Sequence, residues 1–319
     1  MMMKSLASLA ALILLAACAP VVAQPAPSPP APTGEPVFAL RYSHSELAAR
    51  GVQRFTFTDW SGPALPIWYF RAKGTPADAP LLFVFHGVRR DADRYLGEWV
   101  DLAARERLVV VVPEFTAAAF PGARGYNHGN LLAASGAANP PGQRSFAVIE
   151  PLFDALRARE GLTRDRYWLF GHSAGAQFVH RFVLTGHARR MERAVSANAG
   201  SYMMPDAAVA WPFGLAGLPD GLWQAEVAFA APMTVLLGTA DNDPNYPSLP
   251  REPEAMAQGP HRLARGLNFF AAAKAAAARG GAPFNWSCAL APGIGHDNGG
   301  MAPFAIAVLR SGGRGQPCP

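Results

Sequence analysis

Tyr167-Trp168-Leu169-Phe170-Gly171-His172-Ser173-Ala174-Gly175-Ala176-Gln177-Phe178 is the stretch that decides how the chain is read. Its first four residues are apolar without alternation, as in a strand buried on both faces. From Ala174 to Leu184 the apolar residues recur at helical spacing instead. Only a tight turn fits between the two. Glycines at 171 and 175 spare that turn the Cβ atoms that would strike strand and helix. Ser173 is therefore predicted to take a strained backbone conformation at a helix start, beside free N–H donors and the positive end of the helix dipole. The competing reading is a serine in a small-residue packing turn.

Outward from this turn, Leu81 to Phe85 and Leu108 to Val112 are further continuous apolar runs. Between them Ala92 to Arg107 carries Tyr95, Leu96, Trp99, Leu102 and Ala103 at helical spacing, with Asp91 or Asp93 able to cap it. The unit repeats as a helix over Phe146 to Arg159 and strands over Ala194 to Ala197, Met233 to Leu237 and Phe284 to Leu290. Helices are predicted over Leu263 to Arg279 and Met301 to Leu309. Arg54 to Asp59 alternates as a half-exposed strand does, and Leu65 to Arg71 pairs with it through the Ser61-Gly62-Pro63 turn. This rhythm predicts an α/β fold with a mostly parallel, doubly wound sheet and antiparallel N-terminal strands. Two connections, near 116–144 and 200–231, are too long for simple crossovers and are expected to form a small lid or pocket walls.

A serine at such a turn needs a base and an orienting acid, in the chain order Ser, Asp or Glu, His. Downstream, Leu236-Leu237-Gly238-Thr239-Ala240-Asp241 ends a buried run on an acid, and Gly293-Ile294-Gly295-His296-Asp297 follows the last strand. Both fall at carboxyl ends of strands, where α/β sheets bind ligands. Asp241 is preferred to Asp243, which Pro244 cuts off and which suits a turn. His180, His187 and His261 lack the strand-end setting of His296. A metal reading of His296-Asp297 finds no further ligand at suitable spacing. Phe85-His86-Gly87-Val88 ends the first buried strand, so the backbone N–H groups of Val88 and Ala174 are candidate oxyanion-hole donors. Tyr202, Met203 and Met204, which follow the next strand, are expected with His86 to line a substrate pocket; core packing is the alternative for the aromatic and Met residues.

Taken together, H-G-V-R-R-D-A-D-R-Y, G-H-S-A-G, G-T-A-D-N-D-P and G-I-G-H-D over Phe55 to Arg310 resemble α/β-hydrolases, in particular secreted bacterial polyhydroxybutyrate depolymerases and feruloyl esterases. The resemblance implies a serine esterase that cleaves carboxylic esters through Ser173, His296 and Asp241 and an acyl-enzyme, with no cofactor and no metal. The chain lacks the Cys those depolymerases often carry after His-Gly, and no separate polymer-binding domain is visible. A soluble or oligomeric ester is therefore the expected substrate. The alternatives are a non-catalytic ligand-binding surface lipoprotein on the same fold, or thioesterase or peptidase activity.

The termini speak to location. Lys4 and the apolar run Leu6 to Ala17 read as a signal peptide over 1–17, too short to span a bilayer. Leu15-Ala16-Ala17-Cys18 resembles a bacterial lipobox, which would lipidate Cys18 and anchor the chain to a membrane; plain secretion after a nearby Ala-x-Ala cut is the alternative. Residues 18–37 form a Pro- and Ala-rich tether, leaving 38–319 for the hydrolase domain. Of the three cysteines, Cys288 and Cys318 remain after Cys18, an even pair that suggests a disulfide in an exported protein; the alternative is one buried and one loose thiol. The 319 residues are 50% hydrophobic and 16% charged, which excludes a disordered chain. The net charge of +5 is spread without a basic run, so no nucleic-acid partner is expected.

Overall fold

A computed structural model describes residues 38–319. The signal peptide, Cys18 and the tether lie outside the described residues. The strands are β1 (Gln53–Phe57), β2 (Leu65–Arg71), β3 (Leu81–Phe85), β4 (Val109–Pro113), β5 (Tyr167–His172), β6 (Met191–Ala197), β7 (Met233–Gly238), β8 (Ser287–Ala291) and β9 (Gln316–Pro317). The helices are α1 (His44–Ala49), α2 (Ala92–Glu106), α3 (Gly122–Gly125), α4 (Ile149–Glu160), α5 (Ala174–Leu184), α6 (Ala225–Ala230), α7 (Pro253–Ala257), α8 (Arg262–Gly280) and α9 (Asn298–Ser311).

One sheet orders the strands β1-β2-β4-β3-β5-β6-β7-β8-β9. Those from β4 to β8 in this order run parallel, while β1, β2 and β9 enter antiparallel at the edges. The continuous apolar runs follow from burial on both faces. Phe83, Phe85, Val109 and Val111 pack on a core shared with α4, α5 and α8. Their neighbours Leu82, Val84, Val110 and Val112 pack on the opposite core with α2 and α9. The α/β architecture expected from the sequence is the one observed.

Several boundaries shift for physical reasons. The helix expected from Phe146 begins as a 3-10 turn over Ser145–Val148 and becomes α-helical only at Ile149. Pro151 then sits in the first turn, where its missing N–H costs nothing; a start at Phe146 would drive its ring into the carbonyl of Ala147. Strand β8 starts at Ser287, not Phe284. The backbone N–H of Asn285 instead bonds to Phe229 O at 2.8 Å, outside the sheet. The last helix starts earlier, at Asn298, because the Asp297 carboxylate accepts from the N–H groups of Gly299 and Gly300.

The two long connections grip α5. Asn127 Nδ2 donates to Gln177 Oε1 at 3.0 Å, and Arg181 Nη2 donates to Pro212 O at 2.8 Å. His128 and Trp211 meet edge to face between the two insertions. Arg181 is fully buried, and desolvation lowers its pKa to about 9. At the far edge, a Cys288–Cys318 disulfide ties β9 and the C-terminal tail to β8.

Candidate active site

Ser173 occupies the turn between β5 and α5 with φ 58° and ψ −116°, a conformation that L residues rarely adopt. The two motif glycines explain how the turn is tolerated. A Cβ on Gly171 would lie 2.1 Å from Gly175 O, and one on Gly175 would lie 2.0 Å from Phe85 O. Neither backbone atom can give way, so β3, β5 and α5 approach this closely only with glycine at both positions. The Ser173 N–H bonds to Ala197 O at 3.1 Å, which pins the turn to β6. Ala174 opens α5, so its N–H has no partner within the helix.

Two loops at the carboxyl ends of β7 and β8 bring the other groups in. His296 Nε2 lies 3.0 Å from Ser173 Oγ, and His296 Nδ1 lies 2.7 Å from Asp241 Oδ2. Asp241 is 3% exposed, so the relay is closed to water on the acid side. Asn198, held at φ 52° after β6, joins the two loops. Its Nδ2 donates to Gly295 O at 3.1 Å, and its Oδ1 accepts from the Gly238 N–H at 2.8 Å.

Burial holds His296 well below the usual imidazole range, and the nearby Arg262 and Arg94 cations act in the same direction. The ring is therefore neutral, with Nδ1–H toward the carboxylate and the Nε2 lone pair toward the serine hydroxyl. Burial pushes the Asp241 carboxyl up, while the Arg262 guanidinium, 3.5 Å from Oδ1, opposes that rise. The His172 ring lies 4.5 Å from that of His296, tilted by 37°, and its Nδ1 lies 3.1 Å from Tyr95 Oη. A serine hydroxyl next to a neutral, carboxylate-oriented imidazole is the arrangement of an activated nucleophile.

Two solved structures are similar over most of their length. Poly(aspartic acid) hydrolase-1 from Sphingomonas sp. KT-1 is 42% identical, with a TM-score of 0.78, over 81% of this chain and 98% of that one. LpqC, a poly(3-hydroxybutyrate) depolymerase from Bordetella parapertussis, is 33% identical, with a TM-score of 0.75, over 84% and 92%. The chain belongs to the α/β-hydrolase superfamily. An S-formylglutathione hydrolase from Agrobacterium tumefaciens, 13% identical over 83% of this chain and 95% of that one, with a TM-score of 0.50, shares the fold alone. No protein-family model and no curated protein sequence matches the chain.

The cleft of this α/β-hydrolase beside Ser173 is lined by Phe38, Gly87, Val88, Arg89, Tyr246 and Asn298, among others. Val88 is 53% exposed at its rim. A Cβ on Gly87 would lie 3.8 Å from Ser173 Cβ, so the Gly87-Val88 segment runs beside the nucleophile turn.

The expected pocket residues lie elsewhere. Tyr202 is fully buried and stacks on Phe269 at 4.4 Å, while the Met203 N–H bonds to His180 Nε2 at 3.0 Å. Gln258 takes both the N–H and the C=O of Tyr202, turning this segment inward between α5 and α8. Met204 borders a separate groove with Asp206 and Glu254. His86 is also interior. Its Nδ1–H donates to Gly87 O and its Nε2 accepts from the Phe115 N–H, each at 3.1 Å, so it ties the end of β3 to the loop after β4. Neither long insertion supplies a residue to the cleft that holds Ser173, so the lid role expected of them is replaced by packing on α5. Asp243 turns away and accepts from the Asn245 N–H at 2.8 Å. The residues that sequence reasoning missed are Phe38, Arg89, Tyr246 and Arg262. A single aromatic or cation in a polar loop carries no periodic signal.

Proposed function

We propose that the protein is an exported serine hydrolase that cleaves carboxylic esters through Ser173, His296 and Asp241. The observation that carries this reading is the continuous relay of 3.0 Å and 2.7 Å contacts ending on a strained serine at an open cleft. Ser173 Oγ attacks the acyl carbon as its proton passes to His296 Nε2. Asp241 holds the productive tautomer and stabilises the imidazolium. The N–H groups of Ala174 and Val88 are the proposed donors to the developing oxyanion. The imidazolium then protonates the departing alcohol, leaving an acyl-enzyme, and water activated by His296 releases the acid.

A second reading concerns the bond cleaved. The relative at 42% identity is named a poly(aspartic acid) hydrolase, and Arg89 lines the cleft of this chain. An amide in a polyanion is therefore the alternative substrate. Export and anchoring through Cys18 remain part of the proposal; the Cys288–Cys318 bond supports an oxidising compartment.

The test is labelling with a fluorophosphonate followed by peptide mapping, with Ser173→Ala as control. An adduct on Ser173 and a loss of p-nitrophenyl acetate hydrolysis on the order of 10⁴-fold or more are expected. A folded protein with no adduct on Ser173 refutes the reading and favours a ligand-binding role. Comparing a short-chain ester with poly(aspartate) as substrates separates the two bond types.

A further inference from the structure

Behind the relay, on the side away from Ser173, lies a buried cation. Arg262 is the first residue of α8 and is 1% exposed. Its Nη1 lies 3.5 Å from Asp241 Oδ1, on the carboxylate oxygen that His296 does not use. Its Nη2 donates to Ser248 Oγ at 3.1 Å. Its guanidinium lies 4.6 Å from the ring centroid of Tyr246, and that ring meets His296 edge-on at 5.1 Å. The next backbone N–H, of Leu263, donates to Asp241 O at 3.1 Å. One residue thus touches the acid, the loop that carries it, and the aromatic ring that backs the base.

We propose that Arg262, outside the triad and away from the cleft, is a positioning residue that holds Asp241 and His296 in register and keeps the pair competent in mildly acidic solution. The proposal rests on the serine-hydrolase reading. The chemical reason is that a carboxylate has two oxygens. With one bound to the imidazole and the other facing the Arg262 cation at 3.5 Å, rotation of the carboxylate away from Nδ1 would give up both contacts. Ser248 and Tyr246 fix the fork in turn, and the backbone bond from Leu263 fixes the loop.

The direction of the pH effect follows from charge. A buried cation disfavours the imidazolium of His296 and favours the carboxylate of Asp241. Both effects extend the active protonation state toward lower pH, so removing the cation must move the acid limb of kcat/KM upward. The other titratable or charged groups facing the pair are His172 at the end of β5, Ser173 in the turn after it, Tyr95 and Arg94 from α2 with the partners of Arg94, Glu98 and the N-cap Asp91, His261 at the cap of α8, and Tyr246. Arg94 already shares its charge with two carboxylates, whereas Arg262 directly contacts the triad acid.

The experiment compares Arg262→Gln and Arg262→Lys with wild type in pH profiles of kcat/KM for p-nitrophenyl acetate, normalised to Ser173 titrated with fluorophosphonate. Arg262→Gln is expected to shift the acid limb up by about one pH unit and to lower kcat more than it raises KM. Arg262→Lys keeps the charge and loses the fork, so its limb should stay within a few tenths of a unit while its plateau falls. An unmoved limb in Arg262→Gln overturns the proposal. Should that variant not fold, a limb displaced by a full unit in Arg262→Lys overturns it equally. Failure of wild type to label on Ser173 refutes the underlying serine-hydrolase reading instead, so the two failures are distinguishable.

Discussion

Replacing Asp241 with Asn changes one atom and removes one negative charge, and the neighbouring groups fix how the new side chain must sit. In the native site Asp241 Oδ2 accepts from His296 Nδ1 at 2.7 Å while Oδ1 faces the Arg262 guanidinium at 3.5 Å. Arg262 can only donate. The Asn carbonyl must therefore turn toward Arg262 and its NH₂ toward His296. Nδ1 then becomes an acceptor, and the ring proton moves to Nε2, 3.0 Å from Ser173 Oγ. An imidazole in that tautomer cannot take the serine proton. Inverting the tautomer in a triad of this kind costs a factor of about 10⁴ in kcat. That corresponds to about 5.5 kcal/mol of transition-state stabilisation. Asp243→Asn should by contrast stay within about twofold, because Asp243 is exposed and only shapes a turn. The assay is p-nitrophenyl acetate hydrolysis by both variants at neutral pH, with folding checked by circular dichroism and urea midpoint. Retention of more than a tenth of wild-type activity by folded Asp241→Asn, or a larger loss in Asp243→Asn, refutes the reasoning.

The disulfide and the cleft wall each lend themselves to a further test. Replacing both Cys288 and Cys318 with Ala opens a crosslink spanning a sequence separation of 30. Chain entropy predicts a loss of about 3.5 kcal/mol, read as a lower urea midpoint with activity at 25 °C retained; a loss below about 1 kcal/mol would count against it. Phe38 lines the cleft beside Ser173 and lies 5.1 Å below the Arg94 guanidinium, so Phe38→Ala should raise KM for an aryl ester about fivefold with little change in kcat. Unchanged KM would remove Phe38 from the substrate site.

The contrast between the relay and the cleft shows what can be read along a chain. Ser173 stands directly after an apolar strand and Asp241 and His296 in the loops that follow two others, and such positions are marked locally by hydrophobic runs and glycines. The parallel sheet then delivers all three to one edge. Tyr202 and Met203 are marked in the same way, yet the side-chain amide of Gln258, 56 residues away in sequence from Tyr202, turns their backbone into the core. The cleft wall also takes in single residues that carry no pattern of their own: Phe38 before α1, Arg89 after β3 and Tyr246 after β7.

By itself, therefore, the sequence determined the order of strands β1 to β8 and of helices α2, α4, α5, α8 and α9, the strained serine turn and the three residues that meet at it. Those features depend on periodicity and on sterics between near neighbours, and both are written residue by residue. Only the tertiary structure decided which aromatic and cationic side chains face the serine, that the two long insertions close on α5 and not over the nucleophile, and that Arg262 stands behind Asp241. Those contacts join residues from different loops, and their energies depend on burial and distance. A linear sequence specifies neither until the chain has packed.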